Sequence, residues 1–113
     1  MIPHDYETIS VSRPSTRMEQ GRIIESDPIM LGMLGMIVQP VSMDRQTDTG
    51  RSVTVTGYDL YLRGDTTIRP QAGDLVDVRG ETLIITQTPA AWRRGDRVIG
   101  WHWHCERRED RHG

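Results

Sequence analysis

The chain of 113 residues contains no Lys, no Phe and no Asn, and all 14 of its basic residues are Arg. Codons for the three missing residue types are rich in A and T, so a GC-rich genome explains their absence before any chemistry does. With 16 acidic residues the formal net charge is −2. That balance differs from the strongly basic profile of a domain that tracks nucleic-acid phosphates.

Disulfides, membrane spans and a signal peptide are also missing from the sequence. Cys105 is the single cysteine, so no disulfide can form within the chain. No apolar run approaches the roughly 18 residues of a membrane-spanning helix. The opening segment MIPHDYETIS lacks the basic and apolar regions of a signal peptide. We therefore expect a protein that assembles in a reducing cytoplasm and has no membrane partner.

The length and hydrophobic content predict one domain with a thin core. A chain of 113 residues favours a single domain, residues 1–113. The hydrophobic fraction is 35%, and exchanging 3 Tyr for 11 Gly in that count gives about 42%, slightly below the usual ~45–50%. Such a chain is expected to bury further surface against partners or copies of itself. Residues 1–5 and 108–113 are predicted to be flexible tails.

Strand signals recur along the chain, whereas helix signals are scarce. Alternating apolar and polar residues are separated by Gly, Pro, Asp and Ser. Strands are predicted over residues 6–13, 19–26, 34–43, 51–62, 74–78, 81–86 and 97–107. We expect Pro14 to end the first of them, because proline cannot continue a hydrogen-bond ladder. The predicted fold is all-β, a small six- to seven-stranded β-barrel of SH3-like or sandwich-like form with long loops.

Two glycines mark local features of these strands. Arg79 and Gly80 separate two apolar segments and predict a hairpin with a short turn. At Gly57 the apolar residues change from one face of the strand to the other, which predicts a β-bulge at that position.

Two further segments are predicted to be extended loops. Residues 27–35 are apolar but interrupted by Pro and Gly, and each Gly disfavours a helix by about 1 kcal/mol relative to Ala. The methionines of this segment either fill irregular gaps in the core or dock on a neighbouring molecule, and the sequence leaves both possibilities open. Residues 44–50, with the sequence DRQTDTG, consist of polar turn-forming residues.

His102 and His104 are separated by one residue on a predicted strand, so their imidazoles share a face. A closed metal site needs about four ligands and an open catalytic site about three, and Cys105 points to the other face. We interpret the pair as solvated or interface-facing, opposite a buried face that carries Trp101 and Trp103. The sequence thus predicts neither a metal nor another cofactor.

The sequence offers no arrangement of residues that would support catalysis. It has no nucleophile elbow, phosphate-binding loop or convincing pair of carboxylates, so we predict a protein that is not an enzyme.

Trp92 is followed by Arg93 and Arg94, with Arg97 nearby, and this combination forms a local basic and aromatic patch. An SH3-like or OB-like nucleic-acid-binding module that uses this patch is therefore an alternative.

Residues 51–107 resemble the small head-to-tail stopper, or head-completion, proteins of bacteriophages with siphovirus-type tails. The resemblance lies in RSVTVTGYDLYLRGDTTIRPQAGDLVDVRGETLII, followed by TPAAW and a closing strand. Its elements are a strand ending in Tyr-Leu, an Ile-Arg-Pro step, an Ala-Gly-Asp hairpin and a Pro-x-x-Trp segment. The segment YETISVSRPS also fits the opening strand of the family, whereas residues 14–50 depart from it.

The resemblance implies a structural virion protein of the phage neck that is assembled in the host cytoplasm. In that family β-barrel subunits form a ring, here expected to have six copies or alternatively twelve. The ring lies between the adaptor or portal above and the tail terminator or tail tube below. It joins capsid to tail and helps to retain DNA, which passes through the lumen without sequence-specific binding. A tail terminator or another connector ring protein is the alternative within the same machine.

The resemblance also implies a gating loop and contact surfaces. By position, the loop that projects toward the lumen is expected at residues 27–35 or at a second segment. The residues of that second segment are Asp44, Arg45, Gln46, Thr47, Asp48, Thr49 and Gly50. The residues expected to contact other subunits or partners are Met30, Leu31, Met33, Leu34, Trp92, Arg93 and Arg94.

Overall fold

The computed structural model describes residues 6–46 and 48–107, which form seven β-strands and no helix. None of the described segments forms a helix of the length and hydropathy needed to span a bilayer. The predicted all-β class is confirmed. The strands are β1 (Tyr6–Glu19), β2 (Arg22–Gln46), β3 (Ser52–Arg63), β4 (Leu75–Val78), β5 (Glu81–Ile85), β6 (Ala90–Arg94) and β7 (Arg97–Arg107). The predicted tails, 1–5 and 108–113, lie outside the described residues.

Six of the strands are joined by antiparallel pairings in a closed circuit. Along this circuit β1 pairs with β2, β2 with β3, β3 with β7, β7 with β5, β5 with β4, and β4 with β1. The two narrowest junctions have three residue pairs each. One joins β4 to β1, from Ser10↔Asp77 to Ser12↔Leu75, and the other joins β5 to β7, from Leu83↔Arg107 to Ile85↔Cys105. Among the described strands, β6 pairs only with β7, which leaves one edge of β6 open.

The core lies on one side of this circuit, and every strand of the circuit supplies two of its buried residues. Each pair occupies alternate positions on its strand, as expected when one face points inward. Burying a large apolar side chain contributes about 1.5–3 kcal/mol, so this cluster is a main source of stability. The pairs are Ile9 and Val11, Met36 and Val38, Leu60 and Leu62, Val76 and Val78, Leu83 and Ile85, and Trp103 and Cys105.

β2 is much longer than the other strands and is bent. Its 25 residues would span about 80 Å if straight, at roughly 3.3 Å per residue, whereas the longest dimension of the protein is 46 Å. The register against β1 shifts opposite Leu31, and shifts again where Pro14 faces Pro28 and its neighbour. Prolines are tolerated there because the ladder is interrupted. The prediction that Pro14 ends the first strand is therefore wrong.

Two hairpins extend beyond the closed circuit. The first arm, residues 13–29, is the far part of the β1–β2 hairpin, and its turn has positive φ at Gln20 (52°) and Gly21 (75°). The second arm, residues 42–56, is the far part of the β2–β3 hairpin. Within each arm the two strands pair only with each other among the described residues.

These arms correct several predictions from sequence. Residues 27–35 do not form an extended loop, because they lie within β2. In the segment 44–50, the first three residues also belong to β2, residues 48–50 form the turn, and Thr47 lies outside the described residues. The predicted strands 19–26 and 34–43 are parts of the same strand, and β6 was not predicted.

Gly57 marks the point at which β3 leaves β7 and enters the second arm. A Cβ at this position would overlap the carbonyl oxygen of Cys105 on β7. The register of β3 against β2 passes through Gly57 without a shift, and the register against β7 runs without a shift from Gly57 to Arg63. The predicted β-bulge is therefore wrong. The apolar residues change face at Gly57 because those before it belong to the arm and those after it face the core.

The loop between β3 and β4 packs against the core and holds the base of the first arm. The indole Nε1 of Trp103 donates to the carbonyl oxygen of Pro70 at 2.9 Å. The guanidinium of Arg13 donates to both carboxylate oxygens of Asp74, each at 2.9 Å, and Asp74 is only 3% exposed. The backbone N–H of Gln71 also donates to this carboxylate.

The predicted Arg79–Gly80 hairpin is confirmed by the pairing of β4 with β5.

Replacing Gly57 with Ala should destabilise the protein. The added methyl group would press against the backbone of β7, and overpacking of this kind costs about 1–3 kcal/mol. The free energy of unfolding measured by urea denaturation should fall by that amount. Gly35→Ala is the matched control in β2, because a Cβ there would meet only Tyr6, at 3.7 Å. Equal unfolding free energies for the two variants would contradict the close approach of β3 and β7.

Candidate assembly surfaces and a buried histidine network

The tip of the first arm has one apolar face and one charged face. Met18 and Ile23 are cross-strand partners that are 68% and 73% exposed. Glu25 lies two residues beyond Ile23 and therefore on the same face. Arg17 and Glu19 lie on the opposite face, 3.2 Å apart. The exposed apolar pair thus has a single acidic neighbour on its face.

The methionine-rich part of β2 divides between surface and core. Met30 and Met33 are each 60% exposed. Leu31 and Leu34, which were predicted as contacts together with them, are partly buried against the core cluster. Of the four, Met30 and Met33 therefore expose the most apolar surface to another molecule. The sequence alone could not separate them, because the register shift opposite Leu31 changes which residues point inward.

A second apolar surface, which we call the apolar groove, lies beside β6. Its volume is about 450 Å³. The ring of Trp92 is 51% exposed, and its nearest ring atom would lie 3.2 Å from a Cβ built on Gly100. Its centroid is 5.9 Å from that of Tyr61. The lining residues are Tyr6, Ile37, Tyr61, Leu62, Arg63, Trp92, Ile99 and Gly100.

Charged residues surround the neighbouring part of this surface. Arg63 and Arg93 line a shallow depression together with Arg97, Asp65 and Asp96. A hydrogen bond from Trp101 lowers the pKa of Asp65, with further contributions from Thr66, Arg69 and Arg93. The predicted contact residue Arg94 is also exposed on β6. The patch is therefore mixed in sign rather than uniformly basic.

His104 is at the centre of a buried polar network. The prediction that both histidines are solvated or interface-facing is wrong for His104, which is 4% exposed. Its Nδ1 lies 2.8 Å from a carboxylate oxygen of Asp59, and its Nε2 lies 3.0 Å from one of Glu106. A neutral imidazole has only one N–H donor. Both contacts are hydrogen bonds only when the ring carries both protons.

Arg45 connects this network to the second arm. Its guanidinium donates to the two carboxylate oxygens of Glu106 at 3.5 and 3.1 Å, and the hydroxyl of Thr86 donates to the same carboxylate. Burial alone would raise the pKa of Glu106, but hydrogen bonds from Arg45 and His104 outweigh it and lower that pKa. Each arm is thus tied to the body by an arginine bound to a buried carboxylate, Asp74 for the first arm and Glu106 for the second.

The predicted gating segment is only partly an exposed loop. Asp44 accepts a hydrogen bond from Thr54 across the arm at 3.0 Å, and Arg45 reaches into the histidine network. Gln46 ends β2, and the turn residues Asp48, Thr49 and Gly50 are all exposed. The exposed turn of the second arm is therefore shorter than the sequence predicted.

His102 and Cys105 have packing roles. The ring of His102 stacks on Tyr61 with centroids 4.8 Å apart. Its Nε2 is buried 3.3 Å from Asp59 but makes no hydrogen bond. Burial raises the pKa of the Cys105 thiol to about 12. No group of three or more His, Cys, Asp or Glu residues in the described part of the chain is arranged to hold a metal ion.

Comparison with known proteins does not assign this chain to a family. No protein-family model matches it, and no curated protein matches it. Any function must therefore be argued from the surfaces described above.

Replacing Glu106 with Gln should make the free energy of unfolding depend less on pH in the acidic range. Because the folded-state pKa of Glu106 is lowered, its ionised form stabilises the fold above the ordinary value of 4.5, and this contribution is lost as the pH falls through the lowered pKa. The unfolding free energy of the variant should be below that of the wild type at neutral pH, and the difference should shrink in acid.

The control for this measurement is Asp27→Asn, which removes an exposed carboxylate from the first arm outside the apolar pair of its tip. Exposed charges are worth little, so we expect little change in unfolding free energy at either pH. The assigned role of Glu106 would be contradicted if the unfolding free energies of the wild type and the Glu106→Gln variant differed by the same amount at neutral and acidic pH.

Proposed function

We propose that the chain is a head-to-tail stopper, a structural ring subunit of the neck of a tailed bacteriophage. The observation that carries the proposal is the exposure of large apolar side chains on two surfaces, the tip of the first arm and the apolar groove. Met18, Ile23 and Trp92 are all more than half exposed. A subunit of a stable ring needs such surfaces, because an interface buries about 1,200 Å² or more in total.

In this proposal the closed circuit of six strands is a small β-barrel. Two features support it, namely the return of the pairings to β1 and the equal contribution of every circuit strand to one core. Closing a sheet in this way removes most of the open edges that would otherwise associate indiscriminately. The barrel would then act as a rigid wall from which the two arms project in fixed directions.

The second arm is the part that we assign to the lumen. Arg45, which pairs with Val53 near the turn of this arm, binds Glu106 of β7, and the turn residues Asp48, Thr49 and Gly50 are exposed and small or polar. A formal net charge of −2 suits a conduit through which DNA slides, because a strongly basic lumen would bind phosphates. The ring joins capsid to tail between the adaptor or portal and the tail terminator or tube, and requires no catalytic residue or cofactor.

The purified protein should form a ring. Six copies of the 12.9 kDa chain give a mass of about 77 kDa, and negative-stain images should show particles with a central opening. Native mass spectrometry would distinguish six copies from twelve. A protein that stays monomeric at high concentration, together with phage particles that attach tails and retain DNA without it, would contradict the proposed function.

The exposed surface of β6 favours a second candidate function, the binding of single-stranded nucleic acid. Trp92 is half exposed beside Arg93 and Arg94, and stacking of a base on an aromatic ring is worth about 1–3 kcal/mol. Asp65 and Asp96 beside the arginines weaken the electrostatic contribution. The stopper assignment is therefore the better supported of the two.

Titration with a fluorescent oligonucleotide separates these functions. If the nucleic-acid candidate is correct, affinity should fall as salt concentration rises, and Trp92→Ala should weaken binding by about 1–3 kcal/mol. Arg17→Ala on the first arm is the control and should have little effect. Failure to bind the oligonucleotide at physiological salt concentration would remove this candidate.

A further inference from the structure

Two exposed apolar surfaces, the apolar groove and the tip of the first arm, lie at opposite ends of β1. Tyr6, which lines the apolar groove, is the first residue of β1, and Glu19, at the tip of the first arm, is its last. A 14-residue strand extends over roughly 40 Å, at about 3.3 Å per residue. The tip therefore cannot occupy the groove of its own chain, and only a second molecule can bring these surfaces together.

The sizes of the two surfaces are compatible. Met18 and Ile23 project side by side from a narrow two-stranded tip. The groove has a volume of about 450 Å³, within the ~300–1,000 Å³ range of pockets that enclose small ligands. Its walls are largely aromatic and aliphatic, with Tyr61, Trp92 and Ile99 accessible to a side chain that enters it. Two apolar side chains on a hairpin can fill a space of this size.

The charges at these surfaces are also complementary. Glu25 is the charged residue on the apolar face of the tip, and Arg63 is the charged residue that lines the groove. Neither side chain makes an ion pair with another described residue. The two opposite charges would meet if the tip entered the groove with its apolar face inward.

We propose that the apolar face of the first arm of one copy docks in the apolar groove of the next copy, with Glu25 facing Arg63. The contact joins two different surfaces and is therefore heterologous, so successive copies are related by a rotation that closes into a ring or continues as a filament. The inference rests on the proposed ring and names the contact that holds neighbouring subunits together.

Charge reversal tests the contact directly. Glu25→Arg and Arg63→Glu should each raise the concentration at which half of the rings dissociate by roughly tenfold or more, because like charges would then face each other. Combining the two reversals in one chain should restore assembly. Arg51→Glu, which reverses an exposed charge on the second arm, is the control and should leave assembly unchanged. Equal unfolding midpoints of the dissociated variants would exclude a folding defect.

Cross-linking identifies which surfaces meet. Thr16→Cys on the tip and Ile99→Cys in the groove are prepared separately and mixed, and we expect a disulfide between the two different variants under mild oxidation. The natural Cys105 is fully buried and does not compete. Cross-links between two Thr16→Cys chains, or none between the mixed variants, would overturn the proposed contact.

The result for the wild type separates this inference from the proposed function. A wild-type ring that neither charge reversal weakens would overturn the docking contact and leave the ring assignment standing. A wild-type protein that remains monomeric and gives no cross-link between the mixed variants would overturn both.

Discussion

The antiparallel pairing of β3 with β7, from Gly57↔Glu106 to Arg63↔Gly100, is the contact on which the rest of the structure depends. It closes the circuit of strands. On one face it sets Leu60 against Trp103 in the core, and on the other it sets Asp59 against His104. A slip of one residue would exchange these faces, so the charged network would enter the core and the core residues would leave it. The absence of a side chain at Gly57 allows the two backbones to approach in this register.

The same closure explains why the arms exist. β2 continues past the circuit in both directions, so its ends can pair only with the neighbouring ends of β1 and β3. A two-stranded ribbon alone is marginally stable in water. Arg13 at the base of the first arm and Arg45 in the second compensate by binding carboxylates that the body holds nearly out of contact with solvent. The arms are therefore presented in defined directions, as an assembly contact requires.

Local sequence signals predicted those parts of the fold that depend on near neighbours in the chain. The residues of β7 alternate clearly, and Arg79–Gly80 has the chemistry of a tight turn, so both were predicted correctly. β6 was missed because its sequence, AAWRR, has no alternation and is ordered by pairing with β7. The continuity of β2 was missed because Pro and Gly normally end strands. Here Pro28 and Gly32 lie at register shifts, whereas Gly35 and Pro40 lie in continuous register.

Among the residues of the candidate surfaces and the histidine network, too, local features were predicted and those that depend on distant residues were missed. Exposure of Trp92 was foreseen, because an aromatic residue beside two arginines favours the surface. The burial of His104 was not, since its partner Asp59 is 45 residues away in sequence and their contact depends on a strand register that no local pattern encodes. Likewise, nothing in the sequence brings Tyr6, Trp92 and Ile99 together in one groove.

The most direct test of whether these surfaces are assembly contacts is hydrogen exchange on assembled and dissociated protein. In the dissociated chain, backbone amides of residues 15–26 should exchange much faster than those of the closed circuit, because the two strands of the first arm pair only with each other among the described residues. On assembly, we expect protection to rise in residues 15–26 and around Trp92 and Ile99. Unchanged exchange in both regions would contradict the proposal that the arm and the groove are buried against other copies.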